Sequence, residues 1–163
     1  MGWIVELGPC GRVGAFVLIM IEMKKTVALM VVLNQLLHLL CRGLPSYLTE
    51  AKPWSQPEHQ SLCNAMANLV EDRQMYADRV AKAILDRGGY PDPGQFPLEY
   101  TSLNEVSMEY LVHELIDSLR ADMEILQGYS AQLAEIRPLH ALVEEIIGNT
   151  KGHREILEKV IKG

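Results

Sequence analysis

The chain has 163 residues, 48% of them apolar, and a formal net charge of −6, which fits one domain with a single sizeable core and argues against a disordered chain. Its Lys and Arg form no basic block, so a nucleic-acid partner, whose phosphates call for clustered cations, is disfavoured. Cys10, Cys41 and Cys63 are odd in number and irregularly spaced; they point to free thiols in a reducing, cytoplasmic compartment rather than to a disulfide framework or a zinc site.

Residues 1–22 differ from the rest of the chain in carrying Gly2, Gly8, Pro9, Gly11 and Gly14, and are expected to be an N-terminal extension or the product of a start upstream of Met23. Their apolar stretch, Val13 to Ile21, is too short to span a bilayer, and no membrane partner is expected. Met23-Lys24-Lys25 before an apolar run resembles the start of a secretory signal. No small-residue cleavage site follows, however, and the apolar pattern continues into Leu36, Leu37, Leu40 and Leu44. The run is therefore the start of a core helix, and residues 23–163 form the domain.

Four segments have helical period. The first spans about Thr26 to Lys52 and ends at Pro53; Gly43 and Pro45 inside it predict a kink near Cys41 to Pro45. The second is opened by Ser55 and Glu58, a capping box with Pro57 in the first turn, and runs to about Arg87. Gly88-Gly89 supplies a left-handed stop. Tyr90 to Tyr100, with Pro91, Pro93, Gly94 and Pro97, is a connection. Ser102 and Glu105 suggest a second capping box, opening a third helix to about Glu135. Arg137-Pro138 breaks the chain, and the fourth helix reaches Lys162. Short first and third connections predict antiparallel neighbours. The fold class is all-α, a four-helix bundle with one long crossover between helices two and three.

Three of the four inner stripes, read at 3–4 spacing, are apolar at both ends and polar in the middle. The polar positions are Arg73 and Tyr76 on the second helix, Asp122 on the third, and Thr150 and His153 on the fourth. The third stripe also takes in Ser118, Ile125 and Tyr129. A charge in a core stripe is costly unless paired, so a polar layer at mid-bundle is the most informative feature of the sequence. A small error of helix phase would instead put Arg73 or Asp122 at the rim.

The chain resembles bacterioferritin, of the ferritin-like superfamily, in Leu33-Asn34, in YADRVAKAILDRGGYP from Tyr76 to Pro91, and in Gly152-His153 with Leu157-Glu158. The family reads H-A-D-x-L-I-x-R-I-L-x-L-x-G-x-P over the second of these. The resemblance implies a ferritin-like bundle over residues 23–163. It also implies a di-iron site in which Glu from helices one and three and Glu-x-x-His from helices two and four are the ligands. Those positions fall on Leu40, Arg73, Tyr76, Asp122, Thr150 and His153, a degenerate set. The family's haem-ligating methionine corresponds to Gln74.

Only Asp122 and His153 keep ligand character, enough for one ion at most, and Arg73 brings a fixed positive charge into the same space. The expectation is an ion pair between Arg73 and Asp122 in place of a metal bridge, with Tyr76, Thr150 and His153 completing its hydrogen bonds. The function implied is that of a non-catalytic or structural family member without a complete ferroxidase centre. Two alternatives remain open. One is iron oxidation and storage with unusual ligands, recruiting Glu71, Asp72 or Glu124. The other is a single-metal or small-molecule pocket, with Asp122, His153 and His38 or His113 as ligands. No cofactor is expected, and iron is the one metal the resemblance leaves open. The partner expected is a second copy (a homo-oligomer, at least a dimer) or other ferritin-like subunits, with Tyr47, Trp54 and the N-terminal apolar segment as candidate contacts.

Overall fold

A computed structural model of the chain describes residues 9–51 and 60–162. Its helices are α1 (Pro9–Arg42), α2 (Leu44–Ala51), α3 (Gln60–Leu85), α4 (Met108–Gln132) and α5 (Arg137–Lys162), with a 3-10 helix at Leu98–Glu105 between α3 and α4. Among the described residues all regular structure is helical. The capping box at Ser55 and Glu58, and Trp54, lie outside the described residues.

The expected kink is the α1–α2 break, centred on Gly43. Pro45 has no N–H to continue the ladder, and its ring crowds the preceding turn. The exposed carbonyls find other donors: the Ser46 hydroxyl bonds the Leu40 carbonyl at 3.4 Å. The ladder resumes with the Tyr47 N–H on the Gly43 carbonyl at 3.3 Å. α1 itself begins at Pro9 and crosses positions 22 and 23 without interruption.

α3 ends as its glycines dictate. Gly88 has φ +74°, and the Gly88 and Gly89 amides close back on the Leu85 and Ile84 carbonyls at 2.9 and 3.0 Å. The following connection is tied to one polar stripe of α1. Asn34 donates to the Tyr90 carbonyl at 3.3 Å and accepts from the Asp92 amide at 2.8 Å. His38 Nδ1 donates to the Pro93 carbonyl, and Arg42 Nε to that of Gly94, each at 3.0 Å. Gly94 has φ +67° and lies so close to the His38 ring that a side chain there would collide with it.

One boundary differs from the sequence reading. α4 is capped by Ser107, whose hydroxyl accepts from the Tyr110 amide at 3.3 Å. The Ser102 hydroxyl turns back to the Glu99 carbonyl at 2.7 Å, inside the 3-10 helix. The φ −66°, ψ 153° backbone of Ser107 is the extended geometry an N-cap needs. α5 begins at Arg137 with Pro138 in its first turn.

α4 packs on α5, α1 on α3 and α4, α3 on α5, and α2 on α3 and α4. Two apolar clusters result. One gathers Leu33, Leu36, Leu37, Leu40, Tyr76, Val80, Ile84, Leu126, Val143 and Ile146. The other gathers Leu44, Leu48, Leu62, Met66, Leu69, Leu111, Leu115, Leu119 and Leu157. The phase of α4 is turned slightly from the expected stripe: Leu119, Leu126 and Ser130 are buried, whereas Ile125 is 43% exposed. No helix among the described residues is long and apolar enough to cross a membrane.

Candidate functional site

Between the two apolar clusters lies a polar layer. Arg73 (3% exposed), Asp122 (6%), Thr150 and His153 are all buried there. α3 brings Arg73 in one turn beyond Leu69, α4 brings Asp122 between Leu119 and Leu126, and α5 brings Thr150 and His153 between Ile146 and Leu157. The expected phase therefore holds for these four residues, and none of them sits at the rim.

Arg73 Nη2 pairs with Asp122 Oδ2 in a buried, charge-assisted hydrogen bond. Arg73 Nη1 donates to the Leu39 carbonyl at 3.3 Å. The break at Gly43 makes that carbonyl available, since Leu39 is four residues before it. Gly43 also provides the room: a Cβ there would stand 2.6 Å from Arg73 Nη1 and 2.8 Å from the Leu39 oxygen. Arg73 Nε is buried without a hydrogen-bond partner.

Tyr100, on the 3-10 helix, reaches the same region. Burial pushes its hydroxyl pKa up and the charge of Asp122 adds to the shift, while Arg73 and a hydrogen bond to the Leu44 backbone oppose it. Its ring packs against Tyr47 at 5.4 Å between centroids, and Tyr47 in turn meets Phe96 edge-on at 5.6 Å. The expected interface residue Tyr47 is thus half-buried in an aromatic group at the α2 end.

His153 is held by a different carboxylate. Its Nε2 is 2.7 Å from Asp72 Oδ2, and the same oxygen accepts from Asn149 Nδ2 at 2.7 Å. Asp72 lies at the rim, its side chain 39% exposed. The Asn149 amide first, and then His153, holds its carboxyl below the usual range, against a small opposing effect of burial. Asp72, considered from sequence only as a substitute ligand beside the stripe, is thus the partner of His153.

The expected completion of the ion pair by Tyr76, Thr150 and His153 is therefore corrected. The Leu39 carbonyl bonds Arg73, and His153 turns to Asp72. Tyr76 belongs with Leu40 to the first apolar cluster. The Arg79 guanidinium lies 5.5 Å over its ring, and Arg79 bridges to Glu145 of α5 at 2.6 and 3.4 Å. Burial raises the Tyr76 hydroxyl pKa, with Glu145 adding to it.

A di-iron pair does not fit these residues. Leu40 is buried among leucines, Arg73 is a fixed cation, Asp122 is engaged by it, and the Nε2 of His153 faces Asp72. Glu71 and Glu124 are exposed, His113 is exposed on α4, and His38 is tied to Pro93. Among the described residues no three His, Cys, Asp or Glu side chains converge as a metal site needs. Cys41 and Cys63 are free thiols, and burial raises the pKa of Cys41. No protein-family model, curated protein or solved structure matches the chain.

Proposed function

We propose that this protein is a non-catalytic, structural helical bundle of ferritin-like type, with one crossover between α3 and α4, in which an internal ion pair stands where the family holds two irons. One observation carries the reading: the buried pairing of Arg73 with Asp122, positioned by Leu39 and Gly43, between two closed apolar clusters. A guanidinium there repels a divalent cation and occupies the carboxylate that would bind it. The partners that suit such a bundle are further copies of itself or related subunits.

The readings with iron oxidation by unusual ligands, or with a single metal, need Asp122 to leave Arg73 or His153 to leave Asp72. Either move strands a buried polar group at a cost of about 1–3 kcal/mol or more. Metal analysis of protein loaded with ferrous iron under anaerobic conditions, then desalted, tests the proposal. The expected stoichiometry is below one iron per chain. Two irons per chain, held through desalting, would sink it.

A further inference from the structure

On α1 the side that faces the bundle changes character before the helix ends. Leu36 and Leu33 are buried there and Leu29 is half-buried, but Lys25 and Glu22, one and two turns earlier on the same side, are exposed. The helix has left the bundle at that point. The opposite side does not follow. Phe16, Met20, Met23, Val27 and Val31 recur at intervals of four, three, four and four and so share one face. They are between 41% and 64% exposed. This apolar stripe runs into a groove of about 720 Å³ between α1, the loop at Asp92 and Gly94, and α4, walled by Val27, Met30, Val31, Ile125 and Tyr129.

We propose that residues 16–31 of α1 pair antiparallel with the same segment of a second copy of this chain, about a two-fold axis between Met23 and Lys24. In that register Phe16 of one copy lies opposite Val31 of the other, and Met20 lies opposite Val27. The projecting arm of each copy thus fills the groove of its partner, twice, as an isologous contact requires. A spacing of four and three is what side-by-side helices need to interlock. A parallel pair would set two concave grooves face to face and leave both open. A membrane surface is flat and cannot fill the groove. Glu22 and Lys25 lie off the stripe, and Lys24, which meets Met23 of the second copy beside the axis, is exposed at the edge of the stripe, from where its long stem can carry the ammonium out to water. The area removed from water is on the order of 1,000 Å², about the threshold for a specific interface. Pairing of α1 with a second copy does not depend on the origin of the polar layer.

Sedimentation equilibrium of the full chain tests it, with circular dichroism as the check on folding. The expected result is a dimer with a micromolar dissociation constant. Val27→Glu should weaken it by about 100-fold with helix content retained. Leu18→Glu, on an exposed position off the stripe, should leave it intact. With a short bis-maleimide, and with Cys10, Cys41 and Cys63 replaced by serine, Met23→Cys should cross-link to itself, and Phe16→Cys only to Val31→Cys in a mixed sample. A monomer at tens of micromolar, a dimer indifferent to Val27→Glu, or Phe16→Cys linking to itself would each overturn the proposal. So would association seen only with neutral phosphatidylcholine vesicles.

Discussion

Gly43 and Arg73 share one space: Arg73 Nη1 lies 2.6 Å from where a Cβ on Gly43 would be, and it donates to the Leu39 carbonyl beside it. The break between α1 and α2 is therefore part of the same arrangement as the ion pair inside the bundle. A helix running straight through position 43 would use the Leu39 carbonyl itself and leave Arg73 with fewer acceptors.

Gly43→Ala should accordingly destabilise the protein, although alanine is intrinsically the better helix former by about 1 kcal/mol. The added methyl must displace the guanidinium or the backbone, and overpacking of that kind costs about 1–3 kcal/mol. Urea denaturation provides the value. Repeating it in an Arg73→Met background should reduce the effect without abolishing it, because the guanidinium contact is gone while the Leu39 carbonyl oxygen still stands 2.8 Å from the added methyl.

Arg73 and Asp122 should show strong coupling. Arg73→Ala or Asp122→Ala alone leaves a buried charge unpaired, at a cost of about 3–5 kcal/mol, whereas Arg73→Met with Asp122→Leu should come close to the parent. A double-mutant cycle in urea reads this directly. Additive losses would mean that the two side chains do not depend on each other in the folded protein.

Acid should remove the contribution of Asp72. Its folded-state pKa is depressed by Asn149 and His153. The stabilisation is therefore present above the unfolded value, about 3.9, and is lost as pH falls through the folded value. The stability difference between the parent and Asp72→Asn should shrink as pH falls below about 4. A thermal-melt series over that range measures it. A difference that grows on acidification would contradict the assignment.

Sequence pattern reached the ends of the inner stripes and the depth of the polar layer, because periodicity reports which face is buried. Leu33, Leu37, Leu40, Arg73, Asp122 and His153 are all buried as expected. The kink was legible because glycine and proline act locally. The hydrogen-bond partners were not. The Leu39 acceptor is a backbone group and carries no side-chain signal. Asp72 sits one position off the stripe, and only the placement of α5 beside α3 brings Asn149 and His153 to it. Tyr100 stands in a connection without periodicity, so nothing in the sequence assigned it a depth. On α4 the stripe through Ser118 and Ile125 followed one edge of a broad apolar face, and packing chose Leu119 and Leu126 instead.

Ferrous iron oxidation by metal-free protein in air, followed as ferric absorbance against a buffer blank, shows whether the polar layer can hold a pair of irons. Arg73 paired with Asp122, and Leu40 packed among leucines, offer no place for two ferrous ions. The rate should equal that of the blank, and His153→Ala should leave it unchanged. Rapid oxidation at two irons per chain, abolished by His153→Ala, would contradict the account.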